Sequence, residues 1–319
     1  MNNKLAIIIL NYKTPDLVVD CLKSLENQIE PGIEVVIVDN DSNDGSAEQI
    51  SEQITLNSWG NWSHVLCSPV NGGFAAGNNF ALRTIDADAY ILLNSDTIVL
   101  PEAISELLRA MEENPKAGLI GPAMDGQDGK SDTSTFRFIR PITEFIRSAQ
   151  TGPITKLLHR YDVPFPGNES VTEPEWVGFA CVLVRREVIE QVGLLDEGFF
   201  MYFEDIDYCH RVREAGWTIL YWPKSKIIHL NGGSSNINKD TILKRAPRYY
   251  YEARSRYFAK HYGKVGLWLA NFAWMFGRFI FFLREKLFKK QAQHREKEAQ
   301  DIWINVLDPF QPSTMLKNK

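Results

Sequence analysis

Three carboxylates, Glu204, Asp205 and Asp207, lie close together in the segment Gly198 to Gly216, GFFMYFEDIDYCHRVREAG. They follow directly after the aromatic residues Phe199, Phe200, Tyr202 and Phe203. Acids with apolar neighbours are costly to bury without a partner, and in a cleft their pKa values are often perturbed. One hypothesis is that one of these acids is a general base. The alternative is an amphipathic helix whose acidic first turn is favoured by the helix dipole alone.

A further carboxylate, Asp96, follows an apolar run, Tyr90 to Leu93, that predicts a strand. A carboxylate at a strand end is well placed to hold a divalent cation through oxygen. The sequence therefore offers a candidate metal ligand in addition to the candidate base.

The elements that precede these residues alternate between strands and helices. Leu5 to Leu10 and Glu34 to Val38 are continuous apolar runs, typical of strands buried on both faces of a parallel sheet. The pattern Thr14-Pro15-Asp16 predicts a helix between them, and a helix from Ser46 leads to a short strand near Val65. This order predicts an α/β protein with a doubly wound sheet.

In such sheets, ligands bind beyond the carboxyl ends of the strands. Three predicted loops leave those ends: Asn11-Tyr12, Asp39 to Gly45, and Asn71 to Asn79. The third, NGGFAAGNN, has glycines that let the backbone approach a ligand, although it does not match GxGxxG. Taken by itself, this loop is explained equally well as a plain turn.

The composition limits the classes of function. The 319 residues have a formal net charge of −5, which disfavours nucleic-acid binding for a chain without a long basic stripe in its main body. The four cysteines form no CxxC pair, so free thiols in a reducing compartment are expected rather than a zinc site. The start, MNNKLAIIIL, has too short an apolar run for a signal peptide, so a cytosolic body is expected.

The C-terminal region is apolar and basic. Asp240 to His261 is predicted to be helical, and Val265 to Leu283 approaches the length of a membrane span of about 20 residues. Arg278 inside this run is costly in a membrane, and the aromatic residues with basic flanks favour a helix that lies on the membrane surface. The alternative is a helix docked on the protein body or on a second subunit. Residues 291–319 are polar and expected to be poorly ordered.

Six motifs follow one another between residues 5 and 235: IIILNY, VVIVDNDSNDGS, NGGFAAGNN, LLNSDT, FFMYFEDIDYCHR and HLNGGSS. In this order and spacing they resemble the family 2 glycosyltransferases, in particular the bacterial rhamnosyltransferase-like members that build cell-surface polysaccharides. The resemblance implies a GT-A fold, with a Rossmann-like, mostly parallel central sheet flanked by helices and a C-terminal helical extension.

The resemblance implies a nucleotide-sugar site at the strand ends. Asn11 and Asp39 lie where the family grips the base and ribose, and Asp39 would accept a hydrogen bond from the N3–H of a uracil or thymine. Asn71 and Gly73 lie in the loop beside the nucleotide and donor sugar. Asn94 stands where the DxD motif has its first acid; an amide binds a sugar hydroxyl but brings no charge to a metal.

The resemblance also implies the residues of the chemical step. Asp96 would be one ligand of a divalent cation, Mg²⁺ or Mn²⁺, and His229 a second ligand; a strand-end histidine satisfied by backbone is the alternative for His229. Asp205 would be the catalytic base. Glu204 is the rival base and otherwise binds acceptor hydroxyls, while Asp207 is expected to stabilise the helix start.

Two aromatic residues, Trp176 and Tyr202, are expected to join Glu204 in binding the acceptor and to limit access of water. Phe179, in WVGFA, occupies a position where the family usually has a small residue. This departure leaves the shape of the acceptor pocket open.

These roles imply a metal-dependent inverting glycosyltransferase that moves L-rhamnose from dTDP-L-rhamnose to a saccharide or lipid-linked saccharide in surface polysaccharide synthesis. One alternative is a family member that uses a UDP-linked GlcNAc, Gal or Glc donor. Another is a catalytically inactive membrane-bound scaffold. A sugar-nucleotide pyrophosphorylase is disfavoured because no glycine-rich, basic loop follows the first strand.

The expected division of the chain is a nucleotide-sugar-binding half at 1–123 and an acceptor-binding, catalytic half at 124–235. A helical, membrane-associating region at 236–290 and a polar tail at 291–319 follow. The expected partners are the donor, the acceptor and a membrane surface, with a homodimer as an option and no nucleic acid. The expected location is cytoplasmic, peripheral at the inner face of the cell membrane.

Overall fold

The structure is a computed structural model that describes residues 4–165, 169–230, 244–288 and 295–317. The chain forms two compact units. The first contains Met1–Phe136, Pro166–Glu197 and Glu204–Ile237, and the second contains Arg137–Phe165, Gly198–Phe203 and Asn238–Lys319. The loop of the HLNGGSS motif, Asn231 to Ser235, lies outside the described residues, as does the start of the helix predicted from Asp240.

All the strands among the described residues belong to the first unit. They are β1 (Leu5–Asn11), β2 (Ile33–Asp39), β3 (Ser63–Cys67), β4 (Ala89–Asn94), β5 (Thr97–Val99), β6 (Ala117–Gly126), β7 (Ser131–Asp132), β8 (Thr135–Phe136), β9 (Trp176–Val177), β10 (Cys181–Arg185) and β11 (Thr218–His229).

The helices are shared between the two units. They are α1 (Pro15–Leu25), α2 (Ser46–Leu56), α3 (Gly73–Thr84), α4 (Ala103–Glu113), α5 (Pro141–Ala149), α6 (Gly152–Leu157), α7 (Arg186–Val192), α8 (Glu204–Glu214), α9 (Arg248–Phe288), α10 (Glu298–Asp301) and α11 (Thr314–Lys317). Short 3₁₀ turns lie at Glu26–Gln28 and His159–Tyr161. The second unit contains α5, α6, α9, α10 and α11.

The main sheet has the strand order β3-β2-β1-β4-β10-β6-β11-β5, and β7 adds to β6. Strands β1, β2, β3 and β4 pair with one another in parallel, and β6 pairs in parallel with β11. Strand β10 is antiparallel to both of its neighbours, β4 and β6. The chain winds from β1 to β2 and β3 on one side and returns to β4 on the other, and ligands of such sheets bind beyond the carboxyl ends of the strands at this switch point. The predicted α/β architecture with a mostly parallel sheet is confirmed.

Two strand predictions were wrong in detail. The sequence predicts two strands here, Trp217 to Trp222 and Lys226 to His229. In the structure β11 runs through both, with a shift in register against β6 between Trp222 and Lys226. Pro223 lies in this interval, and a residue without an N–H is tolerated in a strand at such a bulge. Conversely, the sequence predicts a single strand from Trp176 to Val184, but this stretch is divided between β9 and β10, because β9 pairs with β8 in a separate small sheet.

In the second unit, α9 packs against α5. Gly263 interrupts α9 with φ 69° and ψ 174°, a conformation that is essentially restricted to glycine. At Gly277 a side chain would overlap the Ser148 hydroxyl and the Phe145 carbonyl, so glycine permits close approach of α5 to α9. The two helices therefore meet within the apolar run Val265 to Leu283.

A buried polar network crosses this helix pair. The Arg254 guanidinium donates to Glu144 Oε2 at 2.9 Å and to Asn271 Oδ1 at 2.7 Å. Arg147 donates to Glu144 Oε2 at 3.0 Å and to Glu298 Oε1 at 2.6 Å. Burial alone would raise the pKa of Glu144, but the charges and hydrogen bonds of the two arginines lower it to about 2.

The C-terminal tail was expected to be poorly ordered, and for residues 295–317 this prediction was wrong. Glu298 is buried against Arg147, and Asp301 is buried in a two-bond pair with Arg245, at 2.8 Å for each bond. These partners lie far away in sequence, so the polar composition of the tail does not reveal them.

Candidate active site

Asn11 and Asp39 end β1 and β2 and lie side by side because these strands pair in register. The Asn11 amide donates to Asp39 Oδ1 at 2.7 Å, and the Ser42 backbone N–H donates to Asp39 Oδ2 at 3.1 Å. Asn11 and Asp39 are both buried. The Asp39 carboxylate is thus held in one orientation, and its oxygens keep the capacity to accept a further hydrogen bond from a ligand.

Asn40 joins the loops that follow β2 and β3. Its amide donates to Asn71 Oδ1 at 3.0 Å and to the Gly73 carbonyl at 3.2 Å. Asn71 Oδ1 also accepts from the Gly73 N–H at 3.0 Å. Gly73 has φ +85°, which other residues rarely adopt, and it begins α3. Asn71 and Gly73 are therefore fixed beside one another where the backbone can approach a ligand.

Asn94 ends β4 and is partly buried. Its backbone N–H donates to the Ala180 carbonyl at 2.9 Å, and its carbonyl accepts from Thr97 Oγ1 at 2.6 Å. The loop that carries the modified DxD motif is therefore held by its backbone.

Thr14 links the first strand end to this loop. Its N–H donates to Asn11 Oδ1 at 3.2 Å, and its hydroxyl lies 3.4 Å from the Ser95 hydroxyl. Thr14 stands at the N-cap position of α1, but its side chain makes no capping hydrogen bond. Hydrogen bonds instead connect Asp39, through Asn11 and Thr14, to the residue next to Asp96.

Asp96 and His229 are brought together by the pairing of β5 with β11. His229 lies opposite Thr97 in this ladder, and the Leu230 N–H donates to the Asp96 carbonyl at 2.9 Å. His229 Nε2 is 3.4 Å from Asp96 Oδ1. Two ligands at right angles on an ion with bonds of about 2.1 Å lie about 3 Å apart. A carboxylate oxygen and an imidazole nitrogen at this separation fit a shared divalent cation.

Asp207 has a structural partner. It is fully buried, and the Arg211 Nε donates to its Oδ2 at 3.0 Å. The same guanidinium donates to the carbonyls of Val192 and Leu194. Asp207 therefore serves to tie α8 to the chain that follows α7.

Glu204 and Asp205 form no ion pair within the part of the chain that the structure describes. Burial raises the pKa of Glu204 well above its usual value, and the neighbouring charge of Asp205 raises it further. Burial also raises the pKa of Asp205 to about 6, although hydrogen bonds from backbone N–H groups, including that of Ile206 at 2.8 Å, oppose the shift. A carboxylate that titrates near neutrality suits a general base.

The segment before these acids is strained. Tyr202 and Phe203 have φ values of 70° and 68°, and bulky residues in this region cost on the order of 1–3 kcal/mol each. Within the second unit, the Tyr202 ring stacks on Tyr249 with centroids 6.1 Å apart, and the Phe203 ring lies 5.5 Å from that of Tyr250. Aromatic packing thus holds the strained segment whose next residue is Glu204.

Trp176 and Phe179 are both buried. The Trp176 ring stacks on Phe136 at 4.1 Å, and Phe179 lies edge-on to Tyr208 at 6.2 Å. Phe179, the unusual residue of the WVGFA segment, therefore fills space beside α8. The acceptor roles assigned to Trp176, Tyr202 and Glu204 stay predictions.

Four residues of the strand-end network were not among the predicted site residues: Thr14, Asn40, Ser42 and Ser95. All of them are polar residues in the loops that leave the carboxyl ends of β1, β2 and β4. Their position was visible in the sequence, but their hydrogen-bond partners depend on the register of the strands.

The chain is similar in sequence to curated bacterial glycosyltransferases. It is 27% identical over 245 residues to the N-acetylglucosaminyl-diphospho-decaprenol L-rhamnosyltransferase of Mycobacterium tuberculosis, a match that covers 72% of this chain and 76% of that protein. It is 26% identical over 276 residues to the dTDP-rhamnosyl transferase RfbF of Shigella flexneri, covering 85% of this chain and 84% of that protein.

Solved structures share the fold. GalNAc-T7 with UDP, GalNAc and Mn²⁺ matches with a TM-score of 0.57 at 14% identity, covering 81% of this chain; the chain spans 50% of GalNAc-T7. S. aureus TarS 1-349 matches with a TM-score of 0.54 at 16% identity, covering 96% of this chain and 80% of TarS 1-349. At these identities the likeness establishes the GT-A fold and no more.

Two family models match the chain. The model for glycosyl transferase family 2 matches residues 6–166, and the model for glycosyl transferase family group 2 matches residues 90–287. Between them they include every residue of the strand-end network and the acids of α8. The protein is a glycosyltransferase, and it belongs to family 2, with rhamnosyltransferase-like relatives.

Proposed function

We propose that the protein is a metal-dependent inverting glycosyltransferase that moves L-rhamnose from dTDP-L-rhamnose to a saccharide or lipid-linked saccharide acceptor in surface polysaccharide synthesis. The observation that carries the proposal is the 3.4 Å pair of Asp96 and His229, linked through the Ser95–Thr14–Asn11 hydrogen bonds to Asp39. Two candidate cation ligands, together with the fixed Asp39 carboxylate that can bind a nucleobase, suit a nucleoside diphosphate sugar bound at the strand ends.

The donor nucleotide would be read by Asp39. Its oriented carboxylate accepts a hydrogen bond from the N3–H of thymine or uracil, and both bases carry this group. The names of the relatives from M. tuberculosis and S. flexneri both favour rhamnose as the sugar, and the name of the S. flexneri relative favours dTDP as its carrier. A UDP-sugar donor (GlcNAc, Gal or Glc) is the alternative, and Asn94 would bind a sugar hydroxyl in either case.

Asp96 and His229 would hold the divalent cation, Mg²⁺ or Mn²⁺. When bound, such a cation neutralises the charge that develops on the leaving nucleoside diphosphate. The single charge of Asp96, without a second acid at position 94, predicts weaker metal binding than a full DxD motif gives.

Asp205 would act as the base. Its carboxylate takes the proton of the acceptor hydroxyl as that oxygen attacks the anomeric carbon opposite the leaving group, so a single displacement inverts the centre. The pKa of about 6 keeps Asp205 ionised at neutral pH while leaving it a stronger base than an ordinary aspartate. Glu204, whose raised pKa favours the protonated form, would donate a hydrogen bond to an acceptor hydroxyl.

Residues 1–123 would bind the donor and residues 124–235 the acceptor, with Trp176 and Tyr202 contacting the acceptor. The name of the M. tuberculosis relative includes a polyprenyl diphosphate saccharide, which favours a lipid-linked acceptor. A catalytically inactive scaffold is disfavoured because Asp96, Asp205 and His229 are all present.

Calorimetric titration of dTDP and UDP with and without Mn²⁺ tests the donor site. Both Asp96→Asn and His229→Gln should remove most of the dependence on Mn²⁺, whereas Asp39→Asn should weaken binding with or without metal. Asp20→Asn, a change at the exposed Asp20–Lys23 pair of α1, is the matched control and should bind as wild type does. If neither dTDP nor UDP binds in a metal-dependent way, the proposal is wrong.

A screen for slow donor hydrolysis without acceptor distinguishes the donors. We expect dTDP-L-rhamnose to be hydrolysed faster than UDP-GlcNAc, UDP-Gal or UDP-Glc. Faster hydrolysis of a UDP-sugar would replace the rhamnose donor by the alternative and leave the glycosyltransferase proposal intact.

A further inference from the structure

The second half of α9 carries a continuous exposed apolar surface. Ten large apolar side chains between Val265 and Leu287 are at least 38% exposed, and we call them the apolar stripe. The five aromatic members, Trp268, Phe272, Phe276, Phe279 and Phe282, are between 38% and 59% exposed. Monomeric soluble proteins rarely expose so many contiguous large apolar side chains, so this surface requires a partner.

The stripe is one face of the helix. Its members recur every three or four residues, which is the spacing of a single helical face. The opposite face is buried at Leu267, Ala270, Asn271 and Trp274. Because α5 packs on the buried side of α9, the exposed face is not needed for the packing of α5 on α9.

The exposed charged side chains at the two ends of the stripe are both positive. Among residues 263–287, all of which the structure describes, the exposed ionisable side chains are Lys264 and Lys286, one at each end of the stripe. Arg278, Arg284 and the acid Glu285 in the same stretch are partly buried. A row of apolar and aromatic side chains between lysines is typical of a helix that lies in the interface of an anionic bilayer.

We propose that the apolar stripe docks the protein on an anionic membrane surface, with the helix axis of residues 265–287 in the plane of the bilayer. The aromatic rings would enter the boundary between headgroups and acyl chains. Lys264 and Lys286 would pair with anionic headgroups at the two ends. In a bacterial cell this surface would be the inner face of the cell membrane.

The contacts of the opposite face favour docking over spanning. The α9 run is long and apolar enough to cross a membrane by length and composition. However, Asn271 accepts a hydrogen bond from Arg254, and Arg284 donates to the Gln150 carbonyl at the end of α5 at 2.9 Å. If α9 spanned a membrane, lipid would surround both faces of the helix and these two hydrogen bonds would break. The polar side chains of Asn271 and Arg284 would then lie unpaired in hydrocarbon.

The end charges favour a membrane over a second copy of the chain. In a parallel pair of stripes, each lysine would face its own counterpart. In an antiparallel pair, Lys264 would face Lys286. Both arrangements place like charges together, whereas anionic lipids neutralise both ends at once.

Co-sedimentation of the full chain with vesicles tests the proposal. We expect binding to phosphatidylcholine vesicles that contain about 30% phosphatidylglycerol, and weaker binding to phosphatidylcholine alone. Phe272→Ser/Phe279→Ser should reduce binding at least tenfold, and Lys264→Gln/Lys286→Gln should reduce it roughly fivefold per lysine at low salt. Leu56→Ser/Leu157→Ser, at positions 68% and 81% exposed outside the stripe, is the matched control and should bind like wild type.

The following results would overturn the proposal. One is wild-type protein that stays in the supernatant, and another is a Phe272→Ser/Phe279→Ser variant that binds as well as wild type. The third is a dimer in solution that this variant converts to monomers and that vesicles do not compete with, which would assign the stripe to a second copy. Extraction by alkaline carbonate is expected, and resistance to it would indicate a spanning helix.

Vesicle binding requires neither donor nor acceptor, so this inference stands or falls separately from the proposed reaction. The stripe variants also change none of the residues placed in the active site. Their hydrolysis of donor in solution should match that of wild type.

Discussion

Glu144 is a buried carboxylate and Asp205 a partly buried one, and their pKa values move in opposite directions. In the second unit, Glu144 accepts hydrogen bonds from Arg147 and Arg254, and its pKa falls to about 2. In the first unit, Asp205 forms no ion pair among the described residues, and its pKa rises to about 6. The partners, rather than burial, decide whether a buried acid is structural or reactive.

This comparison also separates the three acids of α8. Asp207 follows the pattern of Glu144, because Arg211 pairs with it. Glu204 follows the pattern of Asp205, and its Oε2 is buried without a hydrogen-bond partner in the described residues. An acid that the fold leaves without a hydrogen-bond partner is a candidate for function.

The largest expected effect comes from removing the reactive acid. Asp205→Asn should lower sugar transfer by about 10²–10⁴-fold, because the acceptor hydroxyl loses its base. Titration with dTDP or UDP and Mn²⁺ should remain close to wild type. In contrast, Asp207→Asn should destabilise the protein by leaving Arg211 without its carboxylate. Transfer by Asp205→Asn at the wild-type rate would end the assignment of this residue as base.

The next largest effect comes from removing the structural acid. Glu144→Gln should destabilise the protein by about 3–5 kcal/mol, because Arg254 stays buried without a counter-charge. Chemical unfolding at pH 7 measures this loss, and Glu285→Gln, at a partly exposed position of α9, should change stability little. The folded pKa lies below the usual 4.5, so the stabilisation is present above pH 4.5 and is lost as the pH falls towards 2. Equal stability of Glu144→Gln and wild type would show that the pairing of Glu144 with its arginines does not stabilise the fold.

A smaller effect is expected from pH. The rate of transfer at saturating substrate should rise about tenfold per pH unit below 6 and level off above it, because the base must be ionised. The residual activity of Asp205→Asn should lack this rise. If the rise persists in that variant, another group is responsible for it.

The smallest expected effect is a gain in stability. The pKa of Glu204 is raised in the folded protein, so its stabilising protonation is complete at low pH and is lost as the pH rises through the folded value. At pH 7, Glu204→Gln should therefore raise the Tm by a few degrees, at about 2–4 °C per kcal/mol. Glu214→Gln, on the exposed end of the same helix, is the control. A lower Tm for Glu204→Gln would indicate a charge partner for this acid.

Much of the first unit was predictable, because its signals are local. Apolar runs such as Leu5 to Leu10 identified the buried strands, and polar residues at their ends, such as Asn11 and Asp39, identified the candidate site. The acidic cluster from Glu204 also predicts a helix start, and α8 begins at that residue. Prediction failed at β11, where one strand continues through Pro223 with a bulge, since pairing with β6 outweighs the local break signal.

The sequence by itself determined the α/β class, the strand-end polar residues and the family, because the period of apolar residues and the order of motifs are properties of the chain alone. Only the tertiary structure decided which buried acids have partners. Arg254 reaches Glu144 through the packing of α5 on α9, whereas Arg147 lies three residues from Glu144 in α5 itself. His229 reaches Asp96 through the pairing of β5 with β11. Interactions across a hundred residues depend on packing and register, and these are fixed only when the chain folds.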